Sequence, residues 1–366
     1  MNAIIFIIIL LVVVLVHEFG HFFSAKKFGI RVDEFGFGFP PKLFGVKKGE
    51  TEYTFNAIPF GGFVKIFGEN PDEENTTGAD SARSFVNKPK YMQAVVLFAG
   101  VFANFVLAWL LFSFGFMSGL PTSVGTESKD YALENVHLVV VSVLAKSPAE
   151  MAGLKSGDKI ISVKSGNDVV SDVNPDSLKS FVVSHGGKEI EVGYLRGKTE
   201  ELNNTKIIPV VNTTSSNPSI GIAMDQIGMA KLPFFLAIWE GLKMDWSVTK
   251  GTVVGLYTLI AQGIHGKGSF SEVTGPVGMV GVVGDAYKFG FAYLLSFAAL
   301  ISVNLAVINL IPFPALDGGR LFFLLIEKIK GSRINPNVAN TVNMIGFAIL
   351  IILMLLVTYH DIVKLL

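Results

Sequence analysis

The residues of this sequence best suited to chemistry are His17-Glu18-Phe19-Gly20-His21, two histidines four positions apart with a glutamate beside the first. On a helix such histidines lie on one face about one turn from each other, so both imidazoles can reach a single ion. The glutamate can then stand over that ion and take a proton from a water bound to it, which is hydrolytic chemistry. Two histidines leave a four-coordinate site short of protein ligands, so a third must come from elsewhere, with one position open for water. The pattern ends an uncharged run that begins at Ala3, where water is scarce.

Composition limits what the third ligand can be. The chain has no cysteine, which excludes disulfides, thiolate ligands and a cysteine nucleophile and leaves nitrogen and oxygen donors. Thirty basic residues balance thirty acidic ones, so no global field favours a polyanion and no nucleic-acid partner is expected. Half of the 366 residues are hydrophobic and the mean hydropathy is +0.52. That combination fits a membrane protein carrying a soluble part.

Several elements must position the histidine pair. Residues 1–25 read as a first spanning helix. The run lacks a basic leader and a small-residue cleavage site, so it is expected to be retained. Residues 26–90 are mixed and glycine-punctuated, with strand-like runs at Glu52 to Phe55 and Phe63 to Ile66, and Asp72 to Glu74 read as a solvated loop. Residues 91–119 form a second uncharged span containing Asn104. Residues 125–226 alternate like strands at Val136 to Leu144, Lys159 to Val163, Ile190 to Leu195 and Lys206 to Val211, with a polar helix near Pro175 to Ser184. This is a small soluble domain. Between 227 and 288, Glu240, Lys243, Asp245 and Lys250 interrupt the apolar clusters, which predicts helices lying along an interface or on protein rather than a crossing. Residues 289–320 give a third span carrying Asn304 and Asn309 and broken by Pro312 and Pro314 before Asp317-Gly318-Gly319-Arg320. A charged segment, 321–340, precedes a fourth span over 341–359.

Charge orients these spans. Lys26, Lys27 and Arg31, then Lys88 and Lys90, then Arg320, Lys328, Lys330 and Arg333 mark cytoplasmic segments, so both termini and the soluble domain are expected outside. Four crossings then place Asp317 on the same side as His17 and His21, which makes it the best candidate for the third ligand.

The paired signatures resemble those of the site-2 proteases, intramembrane zinc metalloproteases of peptidase family M50, and in particular the bacterial RseP type. The likeness rests on His17 to His21, on Gly36-Phe37-Gly38, on Ile58-Pro59-Phe60-Gly61-Gly62-Phe63-Val64-Lys65, and on Asn304-Leu305 through Asn309-Leu310-Ile311-Pro312-Phe313-Pro314-Ala315-Leu316-Asp317-Gly318-Gly319-Arg320. Ser147 to Asp158 resembles the helix-turn of a PDZ domain, and Gly275-Pro276-Val277-Gly278 the segment ahead of the family's third span.

The resemblance implies a polytopic α-helical membrane protein of four transmembrane helices, a membrane-associated β-hairpin or sheet, and one inserted PDZ-like α+β domain. It implies Zn2+ held by His17, His21 and Asp317, with Glu18 as general base. Asn304 and Asn309 would lie near the substrate backbone, and Gly61, Gly62 and Phe63 would belong to a strand edge for an unwound substrate. The implied substrates are single-span membrane proteins already trimmed by another protease, as in anti-sigma factor or signal-peptide remnant cleavage. The implied site is the bacterial inner membrane, with catalysis near the cytoplasmic side. Two features depart from the pattern: room for one PDZ-like domain where the best-known RseP proteins carry two in tandem, and Gly100-Val101-Phe102-Ala103-Asn104 where relatives commonly have Gly-Pro.

Blander readings exist for each residue. The histidine motif could cap a helix at headgroup level, Asp317 could cap a turn, the asparagines could bond between helices, and the soluble domain could be a plug. His137, His185, His265 and His360 show no ligand spacing. An adaptor without activity would need no glutamate between ligands, and an ion pathway would carry polar residues on several spans; the sequence disfavours both.

Overall fold

A computed structural model describes residues 1–70, 73–124, 131–197, 202–211, 217–265 and 275–365. In chain order the elements are α1 (Asn2–Lys27), β1 (Val32–Lys48), β2 (Thr51–Ile66), α2 (Glu73–Thr77), α3 (Lys90–Ser118), β3 (Leu120–Ser123), β4 (Glu134–Val143), α4 (Pro148–Met151), β5 (Lys159–Ser165), β6 (Asp168–Val169), α5 (Pro175–Ser184), β7 (Ile190–Leu195), β8 (Leu202–Ile207), β9 (Val210–Val211), β10 (Pro218–Ser219), β11 (Ile222–Ala230), α6 (Phe234–Ile264), α7 (Pro276–Phe289), α8 (Phe291–Leu310), α9 (Asp317–Lys330) and α10 (Pro336–Leu365). They divide into two compact units: Met1–Ser113, Ile238–Gly284 and Leu295–Leu366 form the first, and Phe114–Ala237 with Asp285–Leu294 the second.

Four described helices, α1, α3, α8 and α10, are long and apolar enough to cross a membrane, the number expected from the apolar runs. They are helical because a backbone in hydrocarbon must satisfy its own hydrogen bonds. Their surroundings differ: 44% of the most apolar window of α8 is buried but only 6% of that of α10, so α8 is central and α10 peripheral. Where α1 crosses α3 the contact is close, because a Cβ on Gly20 would stand 2.3 Å from the Ala99 carbonyl oxygen. Small residues permit such approach between spanning helices.

Several boundaries differ from expectation. The third span is shorter at both ends, since Gly290, with φ 121°, separates α7 from α8, and 311–316 leave the helix around Pro312 and Pro314. The fourth helix is longer, starting at Pro336, where a proline costs no hydrogen bond. The charged 227–288 region is helical and packed on protein, as its charges predicted, and α6 is not among the described helices long and apolar enough to cross a membrane. The region contains one unbroken helix, α6, whose Met244, Val248 and Leu256 pack on Ala108 and Phe112 of α3 and Val303 of α8. An i,i+3 pair of Lys243 with Glu240 at 2.7 Å offsets two of its charges, whereas Asp245 is buried. The acidic stretch read as a loop is partly helical, with Glu73 opening α2; Asp72 lies outside the described residues. At the end of α10, Asp361 accepts from the amides of Gly275 at 3.1 Å and Gly278 at 2.8 Å, closing the start of α7.

β1 and β2 form a bent hairpin that folds on itself. Residues 34–37 pair on one side with 62–65 and on the other with 52–55, and the latter also pair with 44–47. The segment 62–65 is thereby left at one side of this small sheet. Gly36 allows the close pairing, because a Cβ there would strike the Phe63 ring at 2.3 Å.

The second unit is a sheet in the order β3-β11-β4-β5-β7-β8, with β6 beside β5. Its core includes Leu138, Ile160, Leu178, Ile190, Val192 and Ile207, each contributing about 1.5–3 kcal/mol through burial. Asn174 caps α5 with a reciprocal capping box. Fully buried Asp158 is paired with Arg196 at 2.7 Å. The sheet extends beyond 125–226 at both ends, since β3 and the last residues of β11 pair with each other.

Candidate metal centre

α1 carries His17 and His21 one turn apart, both nearly buried at 5% and 6% exposure. α9 begins with Asp317, three hundred residues away. The distances from His17 Nε2 to Asp317 Oδ2, from His21 Nε2 to the same oxygen, and between the two Nε2 atoms are 3.0, 3.2 and 3.1 Å. Ligands at about 2.0–2.1 Å from a tetrahedral zinc stand about 3.3 Å from one another. The three atoms are therefore spaced to share one ion, and this is the group found to converge in that way among the described residues. Burial alone would raise the Asp317 carboxyl, but the adjacent His17 and His21 outweigh that and hold it below the ordinary aspartate range.

The local sequence explains how Asp317 reaches the pair. A Cβ on Gly318 would lie 2.3 Å from the carbonyl oxygens of Leu310 and Ile311, and one on Gly319 2.2 Å from that of Phe313. Only glycines let the start of α9 nest into the end of α8. The intervening turn places Ala315 at φ 73°, a costly conformation for a residue with a side chain. α10 supports it, with Asn343 Oδ1 accepting from the Ala315 amide at 3.2 Å and Gly346 against Pro314.

α3 supplies the surroundings of both histidines from one stripe. The Val96 carbonyl accepts from His21 Nδ1–H at 2.8 Å, which fixes that ring with Nε2 toward Asp317. Gly100, one turn on, makes room for the same ring, since a Cβ there would stand 2.3 Å from its Nε2. Asn104, a further turn on and fully buried, lies with its side-chain amide 3.4 Å from His17 Nδ1. The parts played by Val96 and Gly100 have no signature in residue type; the i, i+4, i+8 spacing with Asn104 was the available signal.

The remaining sequence-derived residues divide. Glu18 is half-buried, reached by the backbone of Val64, and its Cγ is 3.8 Å from where a Gly62 Cβ would be. Gly62 also abuts Leu15, and Gly61, at φ 100°, faces Val14. The 62–65 segment with Phe63 thus runs beside the face of α1 that carries Leu15 and Glu18. Asn309 Nδ2 is 3.5 Å from His17 Nε2. Asn304 is not brought to this cluster: its Oδ1 accepts from Thr252 of α6 at 2.9 Å, a bond between helices.

A protein with such a donor set buried among spanning helices is a membrane metallohydrolase in class. The Peptidase family M50 model matches residues 5–353, and the chain belongs to that family. It is 36% identical to a Clostridium perfringens protein provisionally named a zinc metalloprotease, over 96% of this chain and 95% of that one. It is 29% identical to the zinc metalloprotease RasP of Shouchella clausii, over 98% of each. The chain is accordingly a zinc metalloprotease of bacterial membrane type. A PDZ domain of an SdrC-like Listeria monocytogenes protein aligns with 26% of the chain and 93% of its own length, at 19% identity and a TM-score of 0.20, too low to establish a shared fold.

Proposed function

We propose that the protein hydrolyses peptide bonds in or beside the transmembrane segment of single-span membrane proteins, as the intramembrane step of regulated proteolysis. The carrying observation is the convergence of His17, His21 and Asp317, whose ligand atoms lie within 4.8 Å of one another, on helices among the apolar spans. Their donor set, two neutral imidazoles and a carboxylate, fits zinc with a position left for water. Zinc held there supplies Lewis acidity toward the scissile carbonyl and lowers the pKa of its water toward about 7.

The chain's own residues do the rest. Glu18 takes the water proton and returns it to the leaving nitrogen, a role worth about 100- to 10,000-fold in rate. An unwound substrate adds as a strand along 62–65, which presents its amides to main-chain partners and its scissile bond to Glu18. Gly61, Gly62 and Phe63 shape that edge, and Asn309 meets the substrate backbone near the metal. Asn304 is given over to packing by its bond to Thr252. Basic residues at the ends of the spans support a cytoplasmic metal site and an extracytoplasmic second unit, which we read as PDZ-like; the substrates are ones already trimmed by another protease. The bilayer is the other partner.

The test is cleavage of a single-span substrate, pre-trimmed to a short outer stub, in proteoliposomes. Glu18→Gln should keep its zinc and lose activity by about 100-fold or more. Undiminished cleavage by that variant overturns the assignment of the base.

A further inference from the structure

Asn104 is a fully buried amide flanked by apolar residues on its span, and its Oδ1 has no hydrogen-bond partner among the described residues. An unsatisfied polar atom in such a place is costly, so its neighbour is informative. That neighbour is the ring nitrogen of His17 that does not face Asp317, 3.4 Å from Asn104 Nδ2. The backbone around Asn104 is pinned independently, with Ser302 Oγ donating to its carbonyl at 2.8 Å, so the side chain is held at that ring.

Proton placement decides which amide atom belongs there. When His17 Nε2 offers its lone pair to a metal, Nδ1 must carry the hydrogen, and a donor has to meet an acceptor. The amide nitrogen cannot accept. Amide oxygen and nitrogen are nearly alike in shape, and their assignment follows the network around them. A half-turn of the amide brings Oδ1 to Nδ1–H. α3 then holds both histidines in the same way: the Val96 carbonyl on His21 Nδ1–H, and the Asn104 side-chain oxygen on His17 Nδ1–H, two turns along one stripe.

We propose that Asn104 is the positioning residue of His17, selecting the tautomer whose Nε2 is free for the metal and fixing the ring's direction by accepting from Nδ1–H. The inference rests on the zinc reading of His17, His21 and Asp317. Outer partners of this kind orient metal-ligating histidines and raise their basicity.

Oxygen acceptance is separable from mere packing, because Asn104→Asp can only accept whereas Asn104→Leu can do neither. The experiment uses the full chain in detergent. Zinc affinity is measured by chelator competition, and exchangeable imidazole N–H signals are recorded in the cobalt-substituted protein. The wild type should show two such signals, one for each histidine. Asn104→Leu should bind zinc about 10- to 100-fold more weakly and lose the His17 signal while keeping that of His21. Asn104→Asp should restore both signals and bind within a few-fold of the wild type. Wild-type affinity in Asn104→Leu overturns the proposal, and so does an Asn104→Asp variant that loses zinc. A wild-type chain that binds no zinc removes the metal reading and this inference with it.

Discussion

Gly100→Ala adds one methyl group, and the structure says where it goes. The new Cβ would lie 2.3 Å from His21 Nε2, 2.7 Å from Cε1 and 2.8 Å from Cδ2, whereas ordinary contact begins at 3.4 Å. The ring must therefore retreat by about 1.1 Å, the difference between 3.4 and 2.3 Å, against a tolerance of about 0.2 Å in a metal–ligand distance. Sliding it away also strains the 2.8 Å bond from Nδ1–H to the Val96 carbonyl, which comes from the same helix. Either the ring leaves the metal or α3 leaves α1. Zinc binding should fall about 100-fold or more, equivalent to about 2.8 kcal/mol at 1.4 kcal/mol per tenfold. The backbone has no reason to object, since alanine is favoured over glycine in a helix by about 1 kcal/mol. Chelator competition on purified protein, beside a thermal melt, measures both quantities. Gly251→Ala and Gly255→Ala, whose new Cβ atoms meet nothing within 4 Å, serve as controls that keep wild-type affinity. Gly100→Ala binding zinc within twofold of the wild type would refute the stripe on α3 as the element that holds His21.

Two further predictions concern buried charges away from the metal. Asp245 is 7% exposed, its Oδ1 has no partner among the described residues, and burial pushes its carboxyl up to about 6 from 3.8. The folded state thus binds this proton more tightly than the unfolded chain does, and the resulting cost grows as pH rises from about 4 to 6, reaching at most about 3 kcal/mol. Asp245→Asn should raise the melting temperature relative to the wild type at pH 8, with the difference shrinking at pH 4.5; an equal difference at both would count against it. In the second unit, Arg196→Met leaves fully buried Asp158 without the guanidinium that holds it at 2.7 Å and should cost about 3 kcal/mol, read as an earlier circular-dichroism transition. An unchanged transition would show that the pair contributes nothing.

Much of this was legible in the sequence because its signals are local. The four apolar spans follow from uncharged length, and His17, Glu18 and His21 follow from helical spacing. Asp317 needed a longer argument, through span count and charge, and the structure brings its carboxylate to the pair. What escaped depends on backbone atoms and on absent side chains. Val96 acts through its carbonyl, which any residue possesses, and Gly100 acts by lacking a Cβ. Asn343 and Gly346 support the turn at Ala315 from a helix that carries no chemistry of its own. Charges at Glu240, Lys243, Asp245 and Lys250 marked α6 as a helix packed on protein rather than a crossing, but not its unbroken length, because hydropathy does not register an i,i+3 pair. Asn304 and Asn309 are alike in type and close in sequence, and only the fold separates their environments, setting Asn304 against Thr252 and Asn309 beside His17.

The most direct measurement of the central claim is zinc content per chain in the purified wild type and in Asp317→Ala. The variant alters one side chain on α9, three hundred residues from the histidine pair, and leaves His17-Glu18-Phe19-Gly20-His21 intact. The geometry predicts about one zinc per wild-type chain and almost none in Asp317→Ala after brief exposure to chelator. Full zinc retention by that variant would contradict a centre built from His17, His21 and Asp317.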